Sequence, residues 1–324
     1  MTEQKTPHSA LRTPDSEDGI LIIDKPADWT SHDVVAKLRG LLKTRRIGHT
    51  GTLDPFATGV LVMCVNRATR LVQFLTADEK EYVATMRLGF ATDTGDLTGV
   101  QIGEAIDASH ITAADIEAVL PRFRGVIQQT PPMYSAKKIG GQKLYEFARR
   151  GETVERAAVT LEIKELEVSS PAFRQNDSPA QDLPPEGGTT NSFTVRVVCS
   201  SGTYIRTLAE DIGRALGVGA HLTALRRTRA GQHTLSQAHT LAALAETNEA
   251  APLISMRAAL DLPELIVSDE ERAALFNGKL LYREAAATFA QCIDLTGELI
   301  AIVEYLTEKN SWQPRVVFHV QTTA

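Results

Sequence analysis

The sequence predicts an α+β fold, with a body built on a mixed or antiparallel sheet with flanking helices and a small β-rich C-terminal domain. Two observations carry this prediction. Short apolar or alternating segments typical of strands are interspersed with segments whose apolar residues have helical spacing, and the last sixty residues are rich in strand-like segments. With 324 residues and 43% hydrophobic content, the chain is long enough for about two domains.

The first predicted element is a strand that enters a turn. Residues 19–25 form a short apolar run closed by Pro26, which indicates a buried strand. A helix follows, and either Thr30 or Ser31 can cap it. Its basic residues occupy the far end, and its apolar residues recur at helical spacing, namely Val34, Val35, Leu38, Leu41 and Leu42.

The next elements are two strands, a loop and a helix. Residues 60–65 form a second buried strand, and residues 82–88 alternate as a strand. Residues 91–99 are dense in turn-forming residues and indicate a loop. Residues 113–123 have the spacing of a helix.

The second half of the body is less regular. Residues 125–151 contain Pro-Pro and Gly-Gly pairs and scattered basic residues, and we interpret them as a projecting insertion that ends in a short helix over 143–150. Residues 160–168 and 193–199 form a predicted strand pair, separated by a flexible connector over 169–192 that lacks an apolar period. Helices are predicted over 203–216 and 241–251.

These elements divide the chain into three parts. Residues 1–18 are a predicted disordered tail, because they mix Pro, Ser, Thr and charges. Residues 19–259 form the body, which contains the insertion and the connector. A composition shift near residues 260–263 predicts a boundary, after which residues 260–324 form the β-rich domain.

Composition indicates a soluble protein that stays in the cytoplasm. The longest apolar runs fall far short of the roughly 20 residues of a membrane helix, and the N-terminus lacks the apolar region of a secretory signal. The three cysteines, Cys64, Cys199 and Cys292, are far apart. Their number and spacing argue against a disulfide framework and a zinc site.

Charge is distributed unevenly along the chain. The net charge of −6 is unusual for a nucleic-acid binder, yet residues 34–53 carry five basic residues and no acid, and residues 221–233 carry three arginines and no acid. Residues 122–150 carry seven basic residues and one acid. These stretches are either solvated helix faces or a shared RNA-binding surface, and their position beside the motif described next favours the second interpretation.

The segment GHTGTLDPFATG at residues 48–59 contains the strongest candidate for a reactive group. Asp54 has no other acidic residue among the twenty that precede it, and glycines bound the loop that holds it. Glycine lets backbone approach a ligand closely and Pro55 stiffens the turn, so the carboxylate is a candidate nucleophile or base. The alternative is an aspartate that caps a turn. The segment is not a phosphate-binding P-loop, because the G-K-[ST] ending is missing.

This segment resembles the catalytic motif of the TruB family of bacterial tRNA pseudouridine synthases. GTYIRTL at 202–208, AHLTALRR at 220–227, KP at 25–26 and KEY at 80–82 also resemble motifs of that family. The resemblance covers nearly all of residues 19–231. The ending from LIVSDEE at 265–271 to Val320 is similar, less tightly, to the PUA domain that such enzymes carry. The implied fold is therefore a pseudouridine-synthase catalytic domain followed by a PUA-like domain.

The resemblance implies isomerisation of the T-loop uridine, position 55 of tRNA, to pseudouridine. The uracil must lose its N1 glycosidic bond, rotate and rejoin through C5, which needs a carboxylate and a tight pocket and no redox cofactor. Asp54 would start the reaction by attack at the sugar or base or by removal of a sugar proton. Arg206 would pair with Asp54, lower the pKa of its carboxyl group and keep it charged.

The resemblance also implies which side chains hold the flipped base. Tyr82 would lie against the uracil ring, and Tyr204 is a second aromatic candidate, although as strand residues both would more often belong to a core. Leu225 would border the uracil pocket, and Lys25 would brace the site. His49 is either a buried hydrogen-bonded histidine or, as the resemblance favours, the side chain that enters the RNA loop vacated by the flipped nucleotide.

The expected partner is the T-arm stem-loop of tRNA, whose backbone the insertion would clamp. Asp93 and Asp96 suggest a metal pair, but their Thr and Gly neighbours favour a turn, so no metal is expected. We also expect a monomer without an obligate protein partner, because no long exposed apolar face is evident.

Two other functions are compatible with parts of the sequence. The first is a tRNA-binding folding helper in which modification is secondary; such a protein would not need Asp54. The second is a glycoside hydrolase that uses Asp54, which is weakened because such enzymes usually need a second carboxylate about 5 to 10 Å away.

Overall fold

The computed structural model describes residues 17–76, 79–169, 192–247, 250–285 and 287–318. Its helices are α1 (Ser31–Leu41), α2 (Val72–Thr76), α3 (Ala113–Val119), α4 (Leu144–Ala148), α5 (Ile205–Ala215), α6 (Leu241–Glu246) and α7 (Asp269–Phe276). Its strands are β1 (Gly19–Lys25), β2 (Ile47–His49), β3 (Thr58–Val65), β4 (Lys80–Leu88), β5 (Ala91–Thr92), β6 (Gln101–Ile102), β7 (Gly125–Gln129), β8 (Lys138–Ile139), β9 (Gln142–Lys143), β10 (Val159–Ser169), β11 (Ser192–Cys199), β12 (Ala220–Ala230), β13 (His233–Thr234), β14 (Glu264–Ile266), β15 (Phe289–Ile293), β16 (Leu299–Leu306) and β17 (Ser311–Val317).

A mixed nine-stranded sheet, counted over the described residues, forms the body. Seven strands follow one another in the order β1-β3-β12-β4-β11-β10-β7, while β2 pairs with β3 and β13 pairs with β12. All of these pairs are antiparallel except β12 with β3. The expected α+β class and the mixed sheet are confirmed.

Strands β1 and β3 are buried on both faces, which explains why each reads as a continuous apolar run. Alternate residues such as Leu21 and Leu61 point into a core shared with α1 and α5. The residues between them, such as Ile22 and Val60, point into a second core on the opposite face. Because this pair of strands is covered on both sides, its position is fixed, and the loop that joins β2 to β3 begins and ends on strands of this sheet.

The C-terminal residues form a separate four-stranded sheet that covers the second face of the body. Its order is β14-β15-β16-β17, and β14 pairs in parallel while the other pairs are antiparallel. Ile302, Val316 and Phe318 belong to the same apolar cluster as Ile22 and Val60 of the body. A β-rich C-terminal region is confirmed, and its core is continuous with that of the body.

Most predicted elements lie where the sequence places them. Helix α1 begins with a capping box in which the Thr30 hydroxyl accepts from the Asp33 amide and the Asp33 carboxylate accepts from the Thr30 amide. Strands β10 and β11 form the predicted pair, and the connector between them lies outside the described residues except for its terminal Ser169 and Ser192. Residues 1–16 of the predicted tail also lie outside. Asp18 is paired with Arg67, and Asn66 donates to the Glu17 carbonyl.

Two predicted segments differ in extent. The insertion begins later than expected, because Gly125–Gln129 is β7, the edge strand of the main sheet, and pairs with β10. The residues that project are those between β7 and Gly151, with the hairpin β8–β9 and helix α4. The helix expected over 241–251 ends at Glu246. No helix among the described residues combines the length and apolarity that a bilayer crossing requires.

Candidate active site

The loop that carries Asp54 is fastened to the body on the side of α1. The Ser31 hydroxyl accepts from the Leu53 amide at 3.0 Å and donates to the Leu53 carbonyl at 3.3 Å. Lys25 is fully buried, and its ammonium donates to the carbonyls of Pro26, Trp29 and Pro55 at 2.7, 2.6 and 3.0 Å. The residues before and after Asp54 are therefore both held by buried polar groups.

Asp54 forms a two-point ion pair with Arg206, as predicted. Arg206 Nε donates to Asp54 Oδ2 at 2.8 Å, and Nη2 donates to Oδ1 at 3.2 Å. The Arg206 side chain is 5% exposed, whereas 31% of the Asp54 side chain is exposed. A planar guanidinium that binds both oxygens fixes the orientation of the carboxylate, so Asp54 is rigidly aimed and still accessible.

The Arg206 guanidinium is itself held from two further sides. It donates to the Thr94 carbonyl and to the Tyr134 carbonyl, each at 2.7 Å, and its Nε lies 3.8 Å from the buried carboxylate of Asp96. Arg206 therefore joins three segments at one point: the turn after β5, the insertion, and the loop over residues 50–57 that carries Asp54, which we call the catalytic loop because it contains the motif with the candidate reactive group. From the sequence, Asp96 is expected only as a turn former or a metal ligand, and its proximity to Arg206 has no local signature in the sequence.

The Asp96 turn is confirmed. Asp96 Oδ1 accepts from the Thr94 hydroxyl and the Thr98 amide, both at 2.9 Å, while Asp93 Oδ1 accepts from the Val100 amide at 2.7 Å. Within the described ranges, no three His, Cys, Asp or Glu side chains are grouped so that they could hold a metal ion.

Arg206 lowers the pKa of the Asp54 carboxyl, as predicted, but the net shift is upward. Burial raises the pKa of the Asp54 carboxyl above its ordinary value, and the Arg206 guanidinium opposes that rise without reversing it. Asp96 adds to the rise through its negative charge. The expectation considered Arg206 alone, but removal of the carboxylate from water and a second acid beside the arginine outweigh one cation.

A cavity of about 290 Å³ opens in front of the ion pair. It is lined by the predicted residues Asp54, Tyr82, Tyr204, Arg206 and Leu225, together with others that include Ile205, Lys80 and Arg227. Tyr82 is 8% exposed and lies on β4, and Leu225 is 6% exposed and lies on β12. Five of the seven predicted site residues are thus brought to one cavity.

Tyr204 does not lie on a strand, contrary to our expectation. It immediately precedes α5 and occupies the N-cap position of that helix. Its backbone is held by Gln129 at the end of β7: the Gln129 Oε1 accepts from the Tyr204 amide at 2.8 Å, and Nε2 donates to the Tyr204 carbonyl at 3.0 Å. Gln129 is 1% exposed, and nothing in the sequence distinguishes it from its exposed neighbour Gln128.

His49 and Lys25 do not line this cavity. Lys25 lies beneath the loop and braces it through Pro55, as described. His49 lies on β2, partly buried, with its ring 5.7 Å from that of His32 and its Nδ1 accepting from the Gly51 amide at 3.4 Å. Burial lowers the pKa of His49. The hydrogen bond agrees with the interpretation of His49 as a buried hydrogen-bonded histidine. The entry of His49 into an RNA loop stays a prediction.

The predicted basic surface is partly wrong. Of the arginines in residues 221–233, Arg226 is paired with Asp24 at 2.8 Å, Arg229 is paired with Glu79 at 2.6 Å, and Arg227 is 2% exposed. Arg227 is therefore not part of an exposed basic surface, and the partly exposed Arg226 and Arg229 are compensated by acids of neighbouring elements.

The basic residues of the stretch 34–53 are exposed, in contrast. For these residues the structure shows no side-chain hydrogen bond or ion pair within the described part of the chain. We call them the α1 basic cluster: Lys37, Arg39, Lys43, Arg45 and Arg46. They lie at the end of α1 and in the segment that leads to His49.

Comparisons with known proteins point to one family. A model described as "TruB family pseudouridylate synthase (N terminal domain)" matches residues 39–205. A second, described as "tRNA pseudouridylate synthase B C-terminal domain", matches residues 206–261. The second match contains nearly all of α5 and the whole of β12, a strand of the main sheet on which α5 packs, and ends before the four-stranded C-terminal sheet begins.

Similar proteins and structures agree with these matches. The chain is 46% identical to a tRNA pseudouridine synthase B of Thermobifida fusca over 93% of this chain and 98% of that protein, and 44% identical to one of Streptomyces avermitilis over 90% and 94%. Among solved structures, it resembles an H/ACA RNP bound to a substrate RNA containing 2′-deoxyuridine, with a TM-score of 0.68, 25% identity and coverage of 98% and 92%. It also resembles a Cbf5-Nop10-Gar1 complex, with a TM-score of 0.65, 28% identity and coverage of 93% and 84%.

Proposed function

The chain belongs to the TruB family of pseudouridylate synthases, enzymes that isomerise uridine to pseudouridine in RNA, and from this premise we propose that it acts on the T-loop uridine, position 55, of tRNA. Its relatives are named tRNA pseudouridine synthase B, which supports tRNA as the substrate. We further propose that it acts as a monomer in the cytoplasm and that residues 260–324 serve as a PUA-like RNA-binding domain.

The observation that carries the proposal is the Asp54–Arg206 pair at the wall of the cavity. The carboxylate is bound at both oxygens by a buried arginine, and a carboxylate is the group that a uridine isomerase needs to start the reaction. The cavity has apolar and aromatic walls in Leu225 and Tyr82, which suit a planar uracil ring, since base stacking contributes about 1 to 3 kcal/mol.

In the proposed reaction the flipped uridine enters with its sugar near Asp54 and its ring against Tyr82. The N1–C1′ bond breaks, the uracil rotates, and a C5–C1′ bond forms. The proton lost from C5 is matched by the proton gained at N1, so the overall composition is unchanged and no oxidant or reductant is consumed. Asp54 initiates the exchange at the sugar or the base, while Arg206 holds its carboxylate in the reactive orientation.

Flipping removes the base from its stack in the T-loop and costs a few kcal/mol. We propose that contacts to the RNA backbone recover this cost. The projecting insertion is attached to the site through the Tyr134 carbonyl that Arg206 binds, so a clamp on the stem-loop would act beside the chemistry. His49 lies on the strand that leads into the catalytic loop, where it would occupy the space vacated by the base.

The test is pseudouridine formation at each position of an unmodified tRNA transcript. We expect wild type to convert the T-loop uridine and Asp54→Asn to lose at least about a thousandfold in kcat, because the amide cannot act as nucleophile or base. A matched control is Asp211→Asn on α5, which removes a surface carboxylate paired with Arg214. We expect that variant to stay within about twofold of wild type.

The binding of each protein to the transcript is measured in parallel. Conversion that is lost in Asp54→Asn while binding is retained supports both the substrate and the role of Asp54. Tight binding by wild type without conversion would overturn the proposed function in favour of an RNA-folding helper.

A further inference from the structure

Arg227 is a buried cation that lines the cavity and has no acidic partner among the described residues. It is 2% exposed, and no carboxylate among the described residues lies within ion-pair distance of its guanidinium. The arginines beside it on β12 differ, since Arg226 is paired with Asp24 and Arg229 with Glu79. Burial of an unpaired charge is costly, so the contacts of Arg227 must have another purpose than a salt bridge.

The guanidinium binds backbone at both ends of the catalytic loop. Arg227 Nε donates to the Val60 carbonyl at 2.6 Å, just after the loop, and Nη2 donates to the Gly51 carbonyl at 3.2 Å, just before Asp54. Asp54 lies between these two anchors. A guanidinium is suited to hold both ends of the loop, because its N–H donors have a fixed planar geometry and keep the two carbonyls at a fixed separation.

The same residue is the cross-strand neighbour of Tyr82. Arg227 and Tyr82 are directly opposite each other in the pairing of β12 with β4, and both side chains line the cavity. Opposite residues of an antiparallel pair lie on the same face with their Cβ atoms about 5 Å apart. Burial raises the pKa of Tyr82, and the charge of Arg227 opposes that rise.

We propose that Arg227 is a positioning residue for the isomerisation, which holds the two ends of the catalytic loop and the ring of Tyr82 in one arrangement. This inference rests on the proposed function for its kinetic consequences. Lys25 and Ser31 hold the loop close to Asp54 from the α1 side, while Arg227 holds it from the sheet side.

The kinetic test compares Arg227→Met, Arg227→Lys and Arg229→Met on the tRNA transcript. We expect Arg227→Met to lower kcat by about 100-fold with KM for tRNA within about threefold of wild type, because a small misplacement of Asp54 slows the chemistry without removing RNA contacts. Arg227→Lys keeps the positive charge but replaces the planar guanidinium with a single ammonium, so its kcat should be about tenfold higher than that of Arg227→Met.

Arg229→Met is the control on the same strand. Glu79 keeps its second partner, Lys164, at 2.7 Å, and the variant should remain within about threefold of wild type.

Hydrogen exchange measures the same arrangement without any turnover. The Leu53 amide donates to Ser31 Oγ and the Ala57 amide donates to the Asp54 carbonyl, so both report on the loop. We expect Arg227→Met to increase exchange of the loop peptide by at least about tenfold, while peptides of β1 and β11 keep their protection. Arg229→Met should exchange like wild type.

The two measurements separate the inference from the proposed function. If wild type does not isomerise the T-loop uridine, the proposed function fails, and the exchange of the loop still decides whether Arg227 holds it. If Arg227→Met leaves loop exchange unchanged and kcat within threefold of wild type, the inference is overturned. The inference would also be overturned if Arg227→Met lost protection throughout the protein and Arg227→Lys restored neither part of that protection nor part of kcat. Arg227 would then have a purely structural role.

Discussion

Lys25 places a cation in the interior directly beneath the catalytic loop. Its side chain is fully buried, and three backbone carbonyls accept from its ammonium. Burial lowers the pKa of Lys25 from its ordinary 10.5 to about 8, although the negative charges of Asp28 and Asp54 oppose the shift. The hydrogen bonds to the loop are therefore formed at the cost of desolvating a charge.

This cost predicts how stability depends on pH. Below pH 8 Lys25 is charged in both the folded and the unfolded protein, so the burial penalty is fully present. Between about pH 8 and 10.5 the unfolded chain binds more protons at this residue than the folded protein does, so the penalty is relieved as pH rises. The free energy of unfolding of wild type, minus that of Lys25→Met, should rise by about 2 kcal/mol from roughly pH 7 to pH 9.5.

Urea unfolding at a series of pH values measures this difference. Lys37→Met, on the exposed face of α1, is the control, and its difference from wild type should stay flat because no burial penalty is relieved. A difference for Lys25→Met that is flat or falls with pH would contradict the prediction.

At the scale of single residues, the sequence predicts the Asp54–Arg206 pair but not its surroundings. Asp54 and Arg206 are recognisable because each lies in a short motif with a characteristic neighbourhood. Asp96 and Gln129 reach the site through turns and strand ends that are distant in sequence, so their geometry depends on the assembled sheet. The net rise of the Asp54 pKa has the same origin, since burial and the proximity of Asp96, which outweigh the lowering by Arg206, are tertiary properties.

At the scale of elements, the site depends on the parallel contact between β3 and β12. This is the parallel pair of the described main sheet, and it joins Gly59 to Arg227 in register. Gly59 has φ +102, and a Cβ at this position would overlap the Arg227 backbone carbonyl. The end of the catalytic motif is thus a glycine because two strands approach each other closely there.

Gly59→Ala tests this contact, and Gly103→Ala is a matched control. Gly103 also has positive φ, +72, but its Cβ would meet no atom within 4 Å, so the control measures backbone strain alone. We expect about 1 kcal/mol of lost stability for Gly103→Ala and about 3 kcal/mol or more for Gly59→Ala, since the strands must separate. Equal losses in urea unfolding would show that the close approach does not matter.

Elements with strong local patterns are those the sequence predicts well. Helix α1 has a capping box and an apolar stripe, and β1 and β3 have apolar runs, so their positions follow from local rules. Strand β7 is missed as part of the sheet because it is an edge strand with exposed Val126, and it precedes the Pro-Pro pair that marks the insertion. Its membership of the sheet depends on pairing with β10, more than thirty residues further along the chain.

At the scale of the whole molecule, the positions of the basic residues explain how a protein with a negative net charge can have an RNA substrate. Many basic side chains are neutralised by acids, such as Arg196 between Glu81 and Glu165. The α1 basic cluster is exposed and without such partners in the described structure, and it continues into the strand that carries His49. A protein of net charge −6 can therefore present a locally positive surface to a phosphate backbone.

Removal of exposed, unpaired arginine charges should therefore weaken RNA binding, whereas removal of paired arginine charges should not. In the triple variant R39Q/R45Q/R46Q we expect KM for tRNA to rise by about tenfold or more near physiological salt, with kcat nearly unchanged, because phosphate contacts supply affinity rather than chemistry. The slope of log affinity against log salt should become less steep by about one for each phosphate that the variant no longer neutralises.

The control R214Q/R257Q/R315Q removes the same number of arginine charges from sites paired with Asp211, Glu264 and Glu304. Since those charges are already compensated, KM and the salt slope should stay close to those of wild type. Equal weakening by both triple variants would mean that net charge alone governs binding, and the α1 basic cluster would then lose its role as the RNA-facing surface. Weakening confined to the first variant, with kcat preserved, would place the T-arm backbone along the end of α1, beside the strand that delivers His49 to the catalytic loop.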